Sequence, residues 1–328
     1  MLRKTIASLG GIAGLLALFY AFTILMPISF IQTVDENEEL PSVTLNGYKF
    51  HAETMGDEDK PVIIALHGGP GGDYRNLLPI APLARDYRLV FYDQRMTGLS
   101  SRKAEGTITL ASFFDDLDAF VDHYGKGRKV TLLGHSWGAM MASGYIGMHP
   151  EKIDKIIMIE PGILRPDLAQ EFFEAQTGPK YDVYPDLALL WLNSWRVDTS
   201  RDKYAREDYI LSNAYKFMGG KGVHCGDVIP ANFKGWRASR KVLNETVIAS
   251  ANDPDLLARL DFISDAYKFD GEVLLIGSTC NKVYGAEYQK RHLAFYKNAK
   301  LETIEDSGHF IFYDQLDASL EVIRNFLK

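Results

Sequence analysis

Gly134-His135-Ser136-Trp137-Gly138 sets a serine in a G-x-S-x-G pattern, after the apolar run Lys129–Leu133 and before a helical stretch through Gly138–Met148. At such a strand-to-helix turn the serine is a nucleophile. The turn is so tight that only small flanking residues fit, and the hydroxyl stands at a helix N-terminus, where developing negative charge is favoured. The pattern alone is common by chance; the strand before it and the helix after it give it meaning. A second loop, His67-Gly68-Gly69-Pro70-Gly71-Gly72, follows the apolar run Pro61–Leu66. Glycines there let backbone N–H groups face a reacting carbonyl, so the amides of Gly69 and Trp137 are the expected oxyanion donors. No G-K-[ST] or G-x-G-x-x-G pattern follows, which argues against a phosphate cradle.

A serine nucleophile needs a base. Asp306-Ser307-Gly308-His309-Phe310 follows the run Leu301–Glu305 and precedes a final helix from Asp314 to Lys328. A histidine on the loop after the last strand reaches the same edge as the serine, which makes His309 the candidate base. His51, His123, His149, His224 and His292 lack such a context and read as ordinary surface or core residues. His67 and His135 belong to motif loops and read as turn stabilisers.

The elements that must position these groups are legible as alternating patterns. Val43–Leu45 and Tyr48–Ala52 flank Asn46-Gly47, a hairpin signal. Pro61–Leu66, Arg88–Tyr92, Lys129–Leu133, Lys155–Glu160 and Glu272–Ile276 are continuous apolar runs of buried-strand length. Leu110–Tyr124 has helical periodicity. Strands alternating with helices predict a doubly wound, mostly parallel sheet covered on both faces. Between Pro161 and Asp270 the alternation stops, and an aromatic-rich helical stretch with Trp191, Trp195 and Trp236 reads as an inserted helical cap. The expected organisation is a core of residues 35–160 and 271–328 around a cap of residues 161–270.

Together, HGGPGG, Asp93-Gln94-Arg95 and GHSWG resemble the proline iminopeptidase branch of the α/β-hydrolases, from about Val43 to Pro161 and again at the C-terminal strand and histidine. The resemblance implies an α/β-hydrolase fold, no cofactor, no metal, and cleavage of amides or esters through an acyl-enzyme. This chain departs from the branch in two places. DQRMTGLS carries Met96 where the family has a glycine. Trp191-Leu192-Asn193-Ser194-Trp195-Arg196 lacks the glutamate that family members place beside a cap tryptophan to hold the substrate's amine; Glu171 and Glu174 are available for that role. Asp93 and Arg95 are expected to hold the oxyanion loop through an ion pair and hydrogen bonds.

The orienting acid has two candidate places. Relatives carry it after the strand here written Glu272–Ile276, but that loop reads Gly277-Ser278-Thr279-Cys280-Asn281-Lys282, without a carboxylate. Asn281 could orient the histidine, yet a neutral amide cannot stabilise imidazolium as a carboxylate does. The other place is the end of the strand after the nucleophile helix, as in the haloalkane dehalogenase branch. Glu160 stands there, closing an otherwise apolar strand. Glu160 is the expected acid and Asn281 its alternative.

The composition narrows the function classes. The 328 residues carry a net charge of −7, and no cluster of Lys and Arg offers a phosphate-backbone interface, so a nucleic-acid partner is excluded. Cys225 and Cys280 are too few for a disulfide framework or a four-ligand zinc site; they read as buried thiols, or as one bridge in an oxidising compartment. Arg3 and Lys4 precede Thr5–Ile31, a stretch with no charged residue and longer than the roughly 20 residues that span a bilayer. Residues 1–34 are therefore expected to be a transmembrane signal anchor and the start of a linker, a single pass with the catalytic domain on the non-cytoplasmic side. The alternative is a secreted or periplasmic chain released by signal cleavage. The leading expectation is a membrane-anchored serine hydrolase, an aminopeptidase or esterase, acting on a small molecule or short peptide. A carboxylesterase or lipid-ester hydrolase is the enzymatic alternative; a non-catalytic homologue acting as a binding module is the alternative from another class. Epoxide hydrolase and dehalogenase chemistry is disfavoured, because those relatives use aspartate where Ser136 stands.

Overall fold

The computed structural model describes residues 14, 17, 19–23, 25–103, 108–169, 184–218 and 222–328. Glu171 and Glu174 lie outside them, as does much of Thr5–Ile31. Among the described residues no helix is long and apolar enough to cross a membrane.

The Asn46-Gly47 turn joins β1 (Ser42–Leu45) to β2 (Tyr48–Met55) as an antiparallel hairpin. The apolar runs become β3 (Val62–Leu66), β4 (Arg88–Tyr92), β5 (Val130–His135), β6 (Ile153–Ile159), β7 (Glu272–Ser278) and β8 (Ala299–Ile304). They form one eight-stranded sheet in the order β1-β2-β4-β3-β5-β6-β7-β8, parallel from β4 to β8. This is the expected α/β-hydrolase fold. The strands are continuous in apolar character because both faces are covered. Along β3, Ile63 and Ala65 enter one core while Val62, Ile64 and Leu66 enter the other, the two-residue period of a strand.

The core that holds Val62, Ile64 and Leu66 is roofed by α1 (Leu110–Gly125) and α2 (Trp137–Met148). A capping box starts α1: Thr109 accepts from the Ser112 amide while the Ser112 side chain accepts from the Thr109 amide. The other core is closed by a 3-10 helical segment, Tyr74–Arg85, and by the C-terminal helix. Tyr74–Arg85 contains Pro79 and Pro82, which remove the donors an α-helix would need there.

The segment between β6 and β7 holds α3 (Tyr184–Ser194), α4 (Ala205–Met218) and several single helical turns. Its buried fastening is ionic. Arg237 binds Asp202 and donates through Nε to Asp208 Oδ2 at 2.9 Å, while Arg102, arriving from the loop after β4, donates to the same oxygen at 3.2 Å. The chain ends in α5 (Leu316–Leu327), preceded by a short helix Ile311–Asp314.

Candidate active site

The turn between β5 and α2 forces Ser136 to φ 54°, ψ −117°. That conformation is costly for any residue with a Cβ and clusters at functional sites. The flanking glycines are required by close approach. A Cβ on Gly134 would lie 2.4 Å from the Gly138 carbonyl, and one on Gly138 would lie 2.0 Å from Leu66 O. Strand β3 thus presses on the start of α2, and the glycine loop that follows β3 lies against the serine. A Cβ on Gly68 would come within 3.1 Å of Ser136 Cβ. Gly69 has φ 138°, and a Cβ there would strike the amides of Gly71 and Gly72. Trp137, buried between Phe113 and Phe262, opens α2.

The two loops are braced by Gln94, a residue to which the sequence motifs assign no role. The Gln94 amide donates to His67 Nε2, its side-chain Nε2 donates to His67 O, and its Oε1 accepts from the Trp137 indole, each at 3.0 Å. One glutamine therefore ties the loop after β3 to the residue after Ser136. Asp93 and Arg95, expected as an ion pair, part company. Asp93 accepts from the Tyr74 and Leu99 amides at 2.9 and 2.7 Å and contacts His51 Nδ1 at 2.7 Å. Arg95 forks onto Asp116 and lies over the Tyr48 ring. Asp93 is fully buried, whereas Arg95 keeps partial solvent contact. His51 is consequently a partner of the loop rather than an ordinary core histidine. Met96 keeps the left-handed backbone (φ 60°) where the family has glycine, with its amide held by the Tyr48 hydroxyl at 2.8 Å.

Glu160 and His309 meet. His309 Nδ1 lies 2.8 Å from Glu160 Oε2. Glu160 follows β6 with φ 44° and is fully buried, its amide donating to Ile276 O of β7. Three further donors converge on its carboxylate: the Ser278 amide at 2.8 Å, the Ser278 hydroxyl, and Asn281 Nδ2 at 2.7 Å. Asn281 does not touch the histidine through these bonds. It donates to the same Oε2 that faces His309, while its own Oδ1 accepts from Val283 and Tyr284.

The histidine loop is pinned from several sides. The His309 amide donates to Val223 O at 2.9 Å, and His135 Nε2 lies 2.8 Å from His309 O. Tyr284 meets the His309 ring edge-on, with centroids 4.6 Å apart. Cys225 and Cys280 form a disulfide, so the buried-thiol reading gives way to the bridge. The bridge joins the segment carrying Val223 to the loop carrying Asn281, and the Cys280 amide donates to Ser307 O at 2.9 Å. His224 is no bystander either: it stacks on Phe310 next to this bridge.

Burial pushes the His309 imidazole down to about 3, so the ring is neutral and able to accept a proton. Burial pushes the Glu160 carboxyl up to about 7, opposed by the hydrogen bonds from Ser278 and Asn281. Protonation that removes the Glu160 charge is expected to set the acid limb of kcat/KM near pH 7, and the His309 shift moves its own limb far lower. A pH–rate profile checks this: the limb near 7 should disappear in Glu160→Gln, and an unchanged limb would assign it to another group.

A hydroxyl on a strained elbow, backbone amides beside it, and a buried His–carboxylate pair are the parts of nucleophilic acyl transfer. Comparison with known proteins agrees with this chemistry. The family model for the alpha/beta hydrolase fold matches residues 61–316. The chain is 31% identical over 298 residues to the cis-3-alkyl-4-alkyloxetan-2-one decarboxylase of Shewanella oneidensis, covering 86% of each protein. It is 34% identical over 110 residues to a proline iminopeptidase of Heyndrickxia coagulans, covering 32% of this chain and 36% of that one. The solved proline iminopeptidase of Mycobacterium smegmatis superposes with a TM-score of 0.59 at 16% identity, covering 87% of this chain and 96% of that one. With a matching model across most of its length, and the sheet and elbow to go with it, the chain belongs to the alpha/beta hydrolase fold family of enzymes.

Proposed function

We propose that this enzyme cleaves a small amide or ester through an acyl-enzyme formed on Ser136. His309 takes the serine proton and returns it to the leaving group. Glu160 orients the ring and stabilises the imidazolium, and the Gly69 and Trp137 amides hold the oxyanion. The observation that carries this reading is the 2.8 Å contact between His309 Nδ1 and a fully buried Glu160. A buried carboxylate is expensive unless paired, and here the Ser278 amide and hydroxyl, Asn281 and His309 all meet it. The test is a fluorophosphonate probe. It should label the protein stoichiometrically at Ser136, as peptide mapping would show; an unlabelled serine in folded protein would leave the binding-module reading in its place.

Residues 161–270 are proposed to act as the cap. Among their described residues, two observations favour an ester over an amine-bearing peptide. Trp191 and Trp195 meet edge-on at 5.7 Å and are about half exposed, with no glutamate beside either in the sequence. The buried carboxylates Asp202 and Asp208 are both engaged by Arg237, which leaves neither free to hold a substrate ammonium. The Shewanella oneidensis relative is named for an alkyl-substituted oxetanone, itself a cyclic ester. Turnover of short-chain esters, compared with prolyl and alanyl amides, decides between the two: a dominant prolyl amidase activity would overturn the ester preference.

Attachment to a membrane through Thr5–Ile31, with the enzyme on the non-cytoplasmic side, completes the proposal. The absence of charge along that stretch supports it, as does the Cys225–Cys280 bridge, since disulfides persist in oxidising compartments. The full chain is expected to stay with membranes at about 1 M salt, where electrostatic adsorption is screened. Release by salt, or a mature chain beginning after this stretch, would overturn the anchor.

A further inference from the structure

Large apolar side chains left in water are concentrated in one place. Leu25, Met26, Leu189, Trp191, Leu192 and Trp195 make up half of the strongly exposed large hydrophobics among the described residues, with Leu25 at 77% and Leu189 at 61%. They come from two segments far apart in sequence that run side by side. Ile28 pairs with Val197 in a parallel bridge, and its amide donates to Arg196 O at 2.9 Å. The Arg196 guanidinium donates back to Met26 O and lies 4.8 Å from the Phe22 ring. On α3, Leu190 and Ser194 turn inward while Leu189, Trp191 and Leu192 turn outward. A helix that is apolar on its inner and its outer side belongs in apolar surroundings on both.

The sequence says which surroundings. Residues 22–28 are the tail of the uncharged stretch Thr5–Ile31, so the chain reaches this face directly from the part proposed to enter a membrane. The face also has the chemistry of a lipid–water boundary. Two tryptophans stand beside aliphatic residues, and the Arg206 guanidinium lies 4.5 Å over the Trp195 ring. Tryptophan is enriched at headgroup level, and arginine stems can lie along apolar surface while the charge meets the headgroups. We propose that the outer face of α3, together with Leu25 and Met26, lies in the headgroup layer of a phospholipid bilayer. The inference rests on the membrane attachment proposed above and adds an orientation to it: the segment between β6 and β7 is turned toward the lipid.

The experiment uses the full chain reconstituted with phosphatidylcholine vesicles, with and without brominated acyl chains, which quench only nearby indoles. Trp137 is buried and Trp236 packs on Tyr74, so the reporters at the lipid are Trp191 and Trp195. Cosedimentation with vesicles and clear quenching by the brominated lipid are expected. The quenching should fall several-fold in Trp191→Phe/Trp195→Phe, while cosedimentation is unchanged. Cosedimentation without quenching, or quenching that the double variant leaves intact, would overturn the docking and leave the attachment standing. Loss of cosedimentation in the wild type would overturn both. A dimer in detergent that Trp191→Glu/Trp195→Glu disperses, again without lipid quenching, would assign the face to a second copy of the chain.

Discussion

Ser136→Ala is expected to abolish turnover, lowering kcat by several orders of magnitude, while leaving the fold intact. Alanine keeps the Cβ, so the elbow's φ of 54° costs no more than it does with serine, and no packed group is lost with the hydroxyl. What disappears is the nucleophile itself. Residual catalysis would come only from the oxyanion amides and binding, which in serine hydrolases leaves a small fraction of the wild-type rate. Circular dichroism and thermal unfolding should match the wild type within error. Activity within a factor of about 10 of wild type would sink the assignment of Ser136.

Replacing Glu160 by Gln should have the next largest effect, and the geometry makes its expected pattern specific. Size and most hydrogen-bonding capacity survive, but the charge that stabilises the imidazolium is lost. By analogy with acid-to-amide changes in serine proteases, kcat should fall on the order of 10²–10⁴-fold, about 3–5 kcal/mol, with KM little changed. Asn281 supplies the internal control. Its Nδ2 donates to Glu160 Oε2 at 2.7 Å, so Asn281→Ala removes one of several donors and should cost far less. Asn281→Asp alone sets a second carboxylate against the first, and repulsion should raise the proton affinity of the pair and depress activity at neutral pH. Added to Glu160→Gln, the same Asn281→Asp change returns a negative charge beside the site and should partly rescue kcat. A silent Glu160→Gln combined with a dead Asn281→Ala would reverse the roles and reduce Glu160 to the end of its strand.

The two glycine loops and the proposed base, His309, are legible in the amino-acid sequence because each is local. An elbow is specified by glycines two residues either side of a serine, and the steric demand at Gly134 and Gly138 is met within one turn of chain. The strands are legible because β3 through β7 are buried on both faces and so lack polar interruption. His309 follows from chain order alone. In these respects sequence determined the sheet and the turn that carries Ser136. The segment Tyr74–Arg85 is not legible, since its prolines break helical periodicity although tertiary packing still coils it.

Tertiary structure decided which acid faces the histidine. Glu160 and Asn281 lie on different strand ends, and the choice depends on how β6 and β7 register. Ile159 stands opposite Ile276, so Glu160 emerges beside Gly277, where the Ser278–Asn281 loop folds its donors onto the carboxylate. Nothing in the local spacing of either segment encodes that alignment. The same reason holds for Gln94, whose three bonds run to residues on two other loops, and for Arg95, drawn to Asp116 of α1 instead of its neighbour Asp93. It holds for Cys225 and Cys280, the first within the β6–β7 excursion and the second just beyond β7. Local propensity acts through adjacent residues and reports their chemistry; which partner each group meets is set by packing between strands and segments far apart in the chain, and only the folded molecule contains it.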